Sequence, residues 1–314
     1  MRKRCLILLV CLLLPWGASA QTRLYTFAED AAPETLRQAD YAVNDQEVVI
    51  SLTFGGDCTL GGETAYASSS RSYASRVAQN GMDWPFQQLQ TLFAADDATI
   101  VNLEGVLSAS REGKVKKKFN FLGDPSLAGV LTAGSVEGVT LANNHTLDYG
   151  QRGYEDTKAA LLDAAVAYVD ETTLMIVEKD GQRVGFTASV FSTGSGIRER
   201  LTRQVALLRD LGCGAVVHLM HAGTEYKARY SARQKGIAQA AIQAGADLVV
   251  GSHPHVVQGA EVYDGVPVVY SLGNLSFGGN GNPRDYDMLL LSVRIHLSGG
   301  EKKKLEWTLW PGRV

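Results

Sequence analysis

Two histidines lie on either side of a proline in the stretch GSHPH, directly after the apolar run ADLVV. A proline here stops a helix from continuing, so His253 and His255 lie in an extended loop where both imidazoles can face one point. The chain has only six histidines, and His145, His218 and His221 also lie in or after apolar runs. This concentration of histidines indicates a metal site.

The other polar residues of these loops would supply oxygen ligands. Asp57 follows the first apolar run, Asn102 and Glu104 follow the second, and Asn143 and Asn144 follow the third. With the imidazoles they form an oxygen and nitrogen donor set without thiolate, which suits Zn²⁺, Mn²⁺ or Fe²⁺. Taken singly, each residue also fits a structural role, such as a helix cap or a turn. Their joint occurrence favours metal binding.

The elements that must position these residues alternate between strand and helix. Strand-type runs alternate with helical segments, and examples of such runs are EVVISLTFGGD and ATIVNLEG. The first of these strands should end at Gly55 and Gly56. The predicted helices include WPFQQLQTLFAA, RGYEDTKAALLDAA and residues 198–211 and 231–244, and hairpins should turn at residues 180–181 and 299–300. This alternation predicts an α/β layered fold. Ligands bind at the carboxyl ends of strands in such sheets, so the loop residues should converge at one rim.

The bulk composition is that of an ordinary globular protein. The chain has 314 residues, 45% of them hydrophobic and 20% charged, with a formal net charge of -3. Three basic and no acidic residues lie in the first twenty positions, which leaves 27 basic against 33 acidic residues in the rest. This acidic balance argues against nucleic acid as a partner. Without an internal repeat or long linker, residues 47–314 are predicted to form one domain.

The first twenty residues, MRKRCLILLVCLLLPWGASA, have the layout of a secretory signal peptide. A basic start precedes an apolar stretch at 6–14 that is shorter than a membrane span requires, although an uncleaved anchor is the alternative. We expect cleavage after Ala20, export to the periplasm or the extracellular space, and a flexible polar leader over residues 21–46. Cys58 and Cys213 would remain, and both a disulfide and two free buried thiols are compatible with that compartment.

Five segments resemble the CapA family, in order and with family-like spacing. They are TFGGDCTLGG, IVNLEGVLS, LANNHTLDYG, HAGTEYK and GADLVVGSHPHVVQGAEVYDGVPVVYSLGNLSF. The CapA family is associated with capsule and poly-γ-glutamate synthesis, and its fold is that of the calcineurin-like metallophosphatases. The resemblance covers residues 48–297 and implies a four-layer α/β/β/α sandwich with a two-metal site.

The resemblance also implies a role for each loop residue. The residues that would bind metal are Asp57 and His255 for the first ion, Asn144, His221 and His253 for the second, and Glu104 as a bridge. Two such ions would polarise a phosphoryl oxygen and activate water for in-line attack. His145 would donate a proton or stabilise an oxyanion, with Asp148 as its orienting partner. The residues that would contact substrate or orient the ligands from behind are Asn102, Asn143, His218, Glu225, Tyr226 and Asn274. For His218, inside AVVHLMH, a core role is the alternative.

Two features qualify the resemblance. Thr59 stands where many calcineurin-like enzymes have a histidine ligand on the first strand, so the first ion should bind weakly, exchange readily or be absent. The segment AYVDETTLMIV lacks the glycine-rich stretch expected of CapA relatives, which affects the local substrate wall. The run REGKVKKKF, with five positive charges against one negative, either attracts a polyanion to the rim or is a solvated loop.

The residues support two functional hypotheses. The first is an exported, metal-dependent hydrolase that acts on a phosphoester or on an amide bond of a polymer. The alternative is a non-catalytic accessory subunit of a membrane synthesis or export complex, which binds anionic polymer at the same rim. A nucleotidase-like scavenger would share the metal site but would need an aromatic clamp for a base, for which Trp84, Phe119, Phe121 and Tyr226 are available.

Overall fold

The computed structural model describes residues 8–10, 22–32, 34–38, 46–191, 195–279 and 281–314. The strands are β1 (Leu8–Val10), β2 (Thr22–Ala28), β3 (Val48–Thr59), β4 (Ala98–Leu103), β5 (Val106–Leu107), β6 (Leu122–Gly123), β7 (Gly138–Thr140), β8 (Ala167–Val169), β9 (Thr173–Lys179), β10 (Gln182–Val190), β11 (Cys213–His221), β12 (Leu248–Ser252), β13 (Ala260–Tyr263), β14 (Val266–Val269), β15 (Asn274–Phe277), β16 (Asp287–Ser298) and β17 (Glu301–Arg313). The helices are α1 (Glu34–Gln38), α2 (Tyr73–Asn80), α3 (Gln90–Phe93), α4 (Gly129–Ala133), α5 (Gly150–Asp163), α6 (Ser195–Asp210) and α7 (Ala232–Ala244).

Most of these strands form two sheets. Sheet A has the order β1-β2-β9-β10-β11-β12-β14-β13, and β10, β11, β12 and β14 in it run parallel. Sheet B has the order β17-β16-β3-β4-β7-β8, with β3, β4, β7 and β8 parallel and β15 added beside β3. The carboxyl ends of both parallel sets are therefore available to build one rim.

The two sheets pack face to face between helices. The largest core cluster joins Phe54 and Ile100 of sheet B to Val177 and Phe186 of sheet A. A second cluster lies between the outer face of sheet B and helices α2 to α5. Helices α6 and α7 cover the outer face of sheet A. This arrangement confirms the predicted α/β/β/α sandwich.

Strand β3 continues past the glycine pair that was predicted to end it. A Cβ at Gly56 would lie 1.9 Å from the carbonyl oxygen of Gly273, so only glycine permits this close approach. The next residue, Asp57, donates its backbone N–H to the same oxygen at 2.9 Å. This contact keeps β3 extended as far as Thr59 and holds Asp57 inside the rim rather than in a loop beyond it.

Both hairpins predicted from the sequence are confirmed, whereas one helix is interrupted. β9 pairs with β10, and β16 pairs with β17, across the predicted turns. In WPFQQLQTLFAA, a 3₁₀ turn (Trp84–Phe86) is followed only later by the single-turn helix α3. Phe86 and Phe93 are both buried with ring centroids 6.0 Å apart, so the apolar side chains of the segment reach the core although the helix is interrupted.

The prediction of a flexible leader is wrong for residues 22–28. These residues form β2, which pairs antiparallel with β9 in sheet A. Leu24 packs in the core between the sheets, and Tyr25 and Phe27 pack on the opposite face under α6, so both faces of the strand are covered. Within the predicted signal peptide, β1 pairs with β2. The remainder of that peptide, including the cleavage position Ala20, and residues 39–45 of the leader lie outside the described residues.

Cys58 and Cys213 are both buried, and neither forms a disulfide. Of the two alternatives, the structure therefore has the free thiols. Among the described residues, no helix has the length and apolar character needed to span a bilayer.

Candidate metal centre

The loops identified in the sequence meet where the carboxyl ends of the two sheets lie side by side. Contacts between the sheets show the convergence directly. The Asn102 Nδ2 of β4 lies 3.2 Å from His221 Nδ1 of β11. The backbone N–H of His253, just after β12, donates to Asp57 Oδ2 of β3 at 3.3 Å. Residues far apart in the chain thus form one buried cluster.

Asp57, Glu104 and His255 form the first group with metal-binding geometry. One ligand atom from each residue lies within 4.8 Å of the others, and all three side chains are buried. His255 Nδ1 is 3.1 Å from Asp57 Oδ2, and His255 Nε2 is 3.9 Å from Glu104 Oε1. These are the residues that the resemblance assigns to the first ion and the bridge.

Glu104, His221 and His253 form the second group, within the same 4.8 Å limit. His221 Nε2 lies 3.8 Å from Glu104 Oε1 and 3.1 Å from His253 Nδ1. Asn144 adds an oxygen, because its Oδ1 is 2.7 Å from the same His221 nitrogen. Glu104 therefore belongs to both groups and lies between them.

The environment of Glu104 fits a bound cation. The residue is fully buried, and neither carboxylate oxygen accepts a hydrogen bond from any residue that the structure describes. Three imidazole nitrogens lie 3.7, 3.8 and 3.9 Å from its Oε1, which is too far for a hydrogen bond. Burial and the neighbouring Asp57 raise the pKa of Glu104 well above its usual range. A buried carboxylate without a partner is rare, and a cation is the partner this donor set suits.

The histidines carry different charges in the metal-free protein. Burial lowers the pKa of His253 to about 4 and that of His221 well below its usual range, so both imidazoles are neutral and can bind metal. Burial opposes protonation of His255 as well, but Glu104 and Asp57 outweigh it and raise its pKa to about 10. His255 in turn holds the pKa of Asp57 low despite that carboxylate's burial. A cation at the first group would take the place of the His255 proton.

Two asparagines connect the ligands from behind. Asn102 Nδ2 donates to Asp57 Oδ1 at 2.8 Å, and the Asn102 Oδ1 accepts from Asn143 Nδ2 at 3.1 Å. Asn143 also donates to the carbonyl of Leu103 at 2.7 Å and accepts the backbone N–H of His145 at 3.0 Å. These bonds fix the ends of β3, β4 and β7 relative to one another, as ligand-orienting residues do in metal sites.

Two further polar side chains orient the imidazoles. Ser252 Oγ lies 3.0 Å from His221 Nδ1, which turns the other ring nitrogen toward Glu104. Asn274 Oδ1 lies 3.0 Å from His255 Nδ1. The backbone is strained at the same place, since His253 has φ of 100° and His255 has φ of 56°. Non-glycine residues adopt such conformations chiefly where the surrounding structure requires them, as at binding sites.

His145 and Asp148 form a separate pair beside the centre. His145 Nδ1 is 2.7 Å from Asp148 Oδ2, so this nitrogen carries the proton and Nε2 faces Glu104 Oε1 at 3.7 Å. The ring of Phe121 stacks on the imidazole with centroids 4.2 Å apart. The backbone N–H of Phe121 also donates to Asp148 Oδ2 at 2.7 Å. Hydrogen bonding and stacking together leave His145 a single orientation.

Three of the predicted residues, His218, Glu225 and Tyr226, lie outside the two ligand groups. His218 lies on the opposite face of β11 from His221 and bonds to Thr187 Oγ1 at 2.9 Å and Ser189 Oγ at 3.0 Å. Its prediction as a substrate-contacting or ligand-orienting residue is wrong, because side chains three positions apart on a strand face opposite ways. Glu225 is exposed and lines a groove together with His145 and His255, and the Tyr226 ring centroid is 6.1 Å from that of His255.

Thr59 lies on the same face of β3 as Asp57, since Cys58 between them packs in the outer core. Its hydroxyl is buried and has no hydrogen-bond partner among the described residues. The first group therefore contains one fewer imidazole than the second, as the sequence predicts.

Sequence reasoning missed several contributors. In the sequence Lys117 is one member of a basic run, yet its Nζ lies 3.2 Å from His145 Nδ1. Ser252 directly precedes His253 and could have been noticed on that ground. The sequence indicates Phe121 only as a candidate for a base clamp, whereas its ring stacks on His145. No sequence signal distinguishes Lys117 from Lys116.

Comparison with known proteins places the chain among capsule synthesis proteins. The model of a family described as bacterial capsule synthesis protein PGA_cap matches residues 51–278. The capsule biosynthesis protein CapA of Bacillus anthracis is 28% identical over 276 residues, which cover 80% of this chain and 65% of that protein. The PGA biosynthesis protein CapA of Bacillus subtilis (strain 168) is 28% identical over 273 residues, which cover 80% of this chain and 69% of that protein. The match thus spans about two thirds of the length of these relatives.

A similar fold occurs in a solved structure. The crystal structure of a hypothetical protein from Thermus thermophilus superposes with a TM-score of 0.50 and 16% sequence identity, and the match covers 83% of this chain and 99% of that one. At this identity, the likeness concerns the fold alone.

Proposed function

The chain belongs to the bacterial capsule synthesis protein family PGA_cap, and we propose that it is a metal-dependent hydrolase of phosphoester type acting in capsule or poly-γ-glutamate metabolism. Its motif resemblance to the CapA family is confirmed by the family match and by the two CapA relatives. The observation that supports the metal site of this hydrolase most directly is Glu104, a fully buried carboxylate shared by two groups of ligands and without a hydrogen-bond partner among the described residues.

The residues would hold two divalent ions, with Mn²⁺, Zn²⁺ or Fe²⁺ as the ions that fit this donor set. Asp57 and His255 would bind one, Asn144, His221 and His253 the other, and Glu104 both. Ions bound there would polarise the scissile group and lower the pKa of a coordinated water. The other tasks fall to the protein's own side chains.

His145 is placed to manage the leaving group. Its Nδ1 proton is held by Asp148 at 2.7 Å, so a proton on Nε2 would be the one transferred toward the centre. Phe121 and Asp148 prevent the ring from turning, which keeps Nε2 directed at the space beside Glu104. Such a positioned acid contributes about 10²- to 10⁴-fold to a rate.

Metal content tests the first half of this proposal. Elemental mass spectrometry of residues 21–314 should find about two ions per chain after supply of Mn²⁺ or Zn²⁺. The His253→Ala, His255→Ala double variant should lose both ions. His296→Ala is the matched control, because His296 bonds to Glu47 and Glu306 away from the centre. Absence of metal from the unaltered protein would exclude the hydrolase.

Turnover tests the second half. A panel of phosphomonoesters, phosphodiesters and polymer amides should reveal a hydrolysed class, and His145→Ala should lower its kcat by about 10²- to 10⁴-fold. Metal content should remain unchanged in this variant, because His145 is not among the proposed ligands. A metal-loaded protein that hydrolyses no member of the panel would leave the alternative function.

The alternative, a non-catalytic subunit that binds anionic polymer, would use the groove that His145 and His255 line. The groove has a volume of about 1080 Å³, and its charged lining residues are the carboxylates Glu63, Asp124 and Glu225 and the cations Arg71, Arg76 and Arg111. None of the three arginines forms an ion pair with a residue that the structure describes. Retained polymer binding by His145→Ala, with no hydrolysis by the unaltered protein, would identify this function. A membrane synthesis or export complex would then be the partner.

We also propose that the protein acts outside the cytoplasm. The signal-type layout of residues 1–20 supports export, and the periplasm and the extracellular space are the compartments concerned. Amino-terminal sequencing of the secreted protein should begin at Gln21, whereas retention in the membrane fraction with Met1 intact would indicate an anchor.

A further inference from the structure

Lys117 is one of five positive charges in residues 111–119, yet its surroundings differ from those of a solvated lysine. Its Nζ donates to the carbonyl of Asn144 at 2.8 Å, forms an ion pair with the Asp148 carboxylate, and lies 3.2 Å from His145 Nδ1. The Asp148 side chain is 0% exposed and that of Lys117 is 28% exposed. A flexible basic loop would not be expected to place one ammonium among three groups of the site.

The loop is anchored so that Lys117 reaches this position. The backbone N–H of Val115 donates to the carbonyl of Asp148 at 2.9 Å. Asn120 Nδ2 contacts the same carbonyl at 3.4 Å and the Val115 carbonyl at 3.2 Å. Phe121 N–H donates to the Asp148 carboxylate at 2.7 Å. Both ends of the segment that carries Lys117 are therefore bonded to residue 148.

We propose that Lys117 is a positioning residue, which holds Asp148 and Asn144 in place so that His145 keeps one orientation and one tautomer. Asp148 Oδ2 already accepts from His145 and Phe121, and Lys117 supplies the contact of the second oxygen. Without Lys117, this buried oxygen would lose its cation, which is costly for a buried charge. The carboxylate would then turn to regain solvation and would release His145 Nδ1.

The bond to Asn144 adds a second effect. The carbonyl that Lys117 holds belongs to the residue whose Oδ1 lies 2.7 Å from His221 Nε2. One side chain thus fixes the backbone on one side of His145 and the carboxylate on the other. Its catalytic consequence rests on the proposed function, whereas its effect on the orientation of His145 does not.

Lys116 provides a matched control within the same run. It carries the same charge, and its side chain forms no ion pair or hydrogen bond with any described residue. Lys117→Met and Lys116→Met remove the same charge from neighbouring positions, and both side chains reach solvent, so both variants should fold. If the run acts only through its summed charge, the two variants will behave alike.

The first readout is the ¹⁵N spectrum of the His145 imidazole in the full chain, assigned by its loss in His145→Gln. The unaltered protein and Lys116→Met should show one tautomer with the proton on Nδ1. Lys117→Met should show shifts averaged between the two tautomers, and Lys117→Arg, which keeps a cationic donor, should restore the single tautomer. An unchanged His145 spectrum in Lys117→Met would overturn the proposal.

The second readout is turnover of whichever substrate the panel identifies. Lys117→Met should lower kcat by about 10- to 100-fold and change KM by less than about twofold, at low and at high salt. Lys116→Met should leave kcat unchanged. Equal losses in both variants that disappear at high salt would show that Lys117 acts only as a surface charge. If the unaltered protein hydrolyses nothing, the proposed function fails, and the imidazole spectrum alone decides the role of Lys117.

Discussion

Strand β4 has a carboxylate beside each of its ends, and the two are held in opposite ways. Before the strand, Asp97 accepts the backbone N–H and the hydroxyl of Ser51, each at 2.8 Å, and pairs with Lys179 Nζ at 2.9 Å. After the strand, Glu104 is completely buried and accepts no hydrogen bond from any described residue. The carboxylates beside the two ends of β4 thus differ in their partners, because Asp97 is hydrogen-bonded and ion-paired whereas Glu104 is not.

The difference separates a structural polar cluster from a binding site. A carboxylate whose oxygens are bonded and paired joins the elements around it, as the partly buried Asp97 joins β3 and β9. A buried carboxylate without partners destabilises the metal-free fold, and it persists where a ligand supplies the missing interactions. Residue type alone does not reveal which of the two a carboxylate is; its partners do.

The largest expected effect follows from replacing Glu104 by glutamine. Because Glu104 belongs to both ligand groups, Glu104→Gln should weaken binding of both ions by more than about 10²-fold, beyond the range for residues that only orient ligands. Titration calorimetry with Mn²⁺ or Zn²⁺ measures this change. The control is Asp97→Asn, which alters a carboxylate at the other end of β4 and should leave metal affinity unchanged. Retention of both ions by Glu104→Gln would show that metal binding does not need the Glu104 carboxylate. Glu104 and Asp97 would then not differ in this respect.

At the Asp97 end of β4, a substitution should lower the stability of the fold rather than the affinity for metal. Asp97→Ala removes the acceptor for Ser51 and leaves Lys179 without its carboxylate, so the free energy of unfolding should fall by about 3 kcal/mol. Urea denaturation measures the difference, and metal content should stay the same. Asp83→Ala is the matched control, since Asp83 is exposed and its side chain makes no hydrogen bond or ion pair with a described residue. Equal stability of the two variants would contradict a structural role for Asp97.

Glu104→Gln, which should weaken metal binding, should also stabilise the metal-free protein. Burial and Asp57 raise the pKa of Glu104, so the folded chain binds a proton more tightly than the unfolded chain does. The resulting contribution to stability is complete below the unfolded pKa of about 4.3 and falls as pH rises. Glutamine keeps a neutral side chain, so in chelator Glu104→Gln should gain about 1–3 kcal/mol at alkaline relative to acidic pH. A pH-independent difference would indicate that Glu104 has a partner in solution.

Much of this arrangement follows from sequence because its signals are local. Apolar runs followed by Asp, Asn or His mark buried strands that end in polar loops, and parallel strands bring those loops to one edge. The groups around Asp57, Glu104 and His253 could be anticipated in this way. The fold class follows from the same alternation.

The remaining features depend on packing between distant segments. Lys116 and Lys117 are equivalent in sequence, and only the anchoring of their loop on Asp148 distinguishes them. The sequence leaves His218 between a ligand-orienting role and a core role until the pairing of β10 with β11 places Thr187 and Ser189 beside it. Residues 22–28 look polar and irregular until β9 supplies a strand to pair with. No local pattern contains this information.

A pH effect of comparable size should arise at the Asp97 end of the sheet. Burial raises the pKa of Glu137 to about 7, although Thr99 N–H donates to its Oε2 at 2.8 Å. A raised carboxyl pKa stabilises the fold below the unfolded pKa, and this contribution is lost as pH rises toward 7. Glu137→Gln should therefore reduce the decline in stability between acidic and neutral pH by about 2 kcal/mol. Asp96, with its pKa also raised to about 7 by burial, should maintain part of the decline in the variant. An unchanged pH profile would show that Glu137 titrates normally.

The smallest effect on metal affinity is expected for substitutions of Thr59. Its hydroxyl is buried and, like Glu104, has no partner among the described residues, and it lies on the Asp57 face of β3. The first ion is therefore expected to bind more weakly than the second, because Asp57 and His255 are the ligands proposed for it besides Glu104. Thr59→His would add an imidazole and should tighten the weaker of the two binding steps by about tenfold. Thr59→Val, which keeps the shape without a ligand atom, should not. Tightening of the stronger step instead would mean that Thr59 faces the His221 and His253 side of Glu104, and the assignment of the two ions would have to be exchanged.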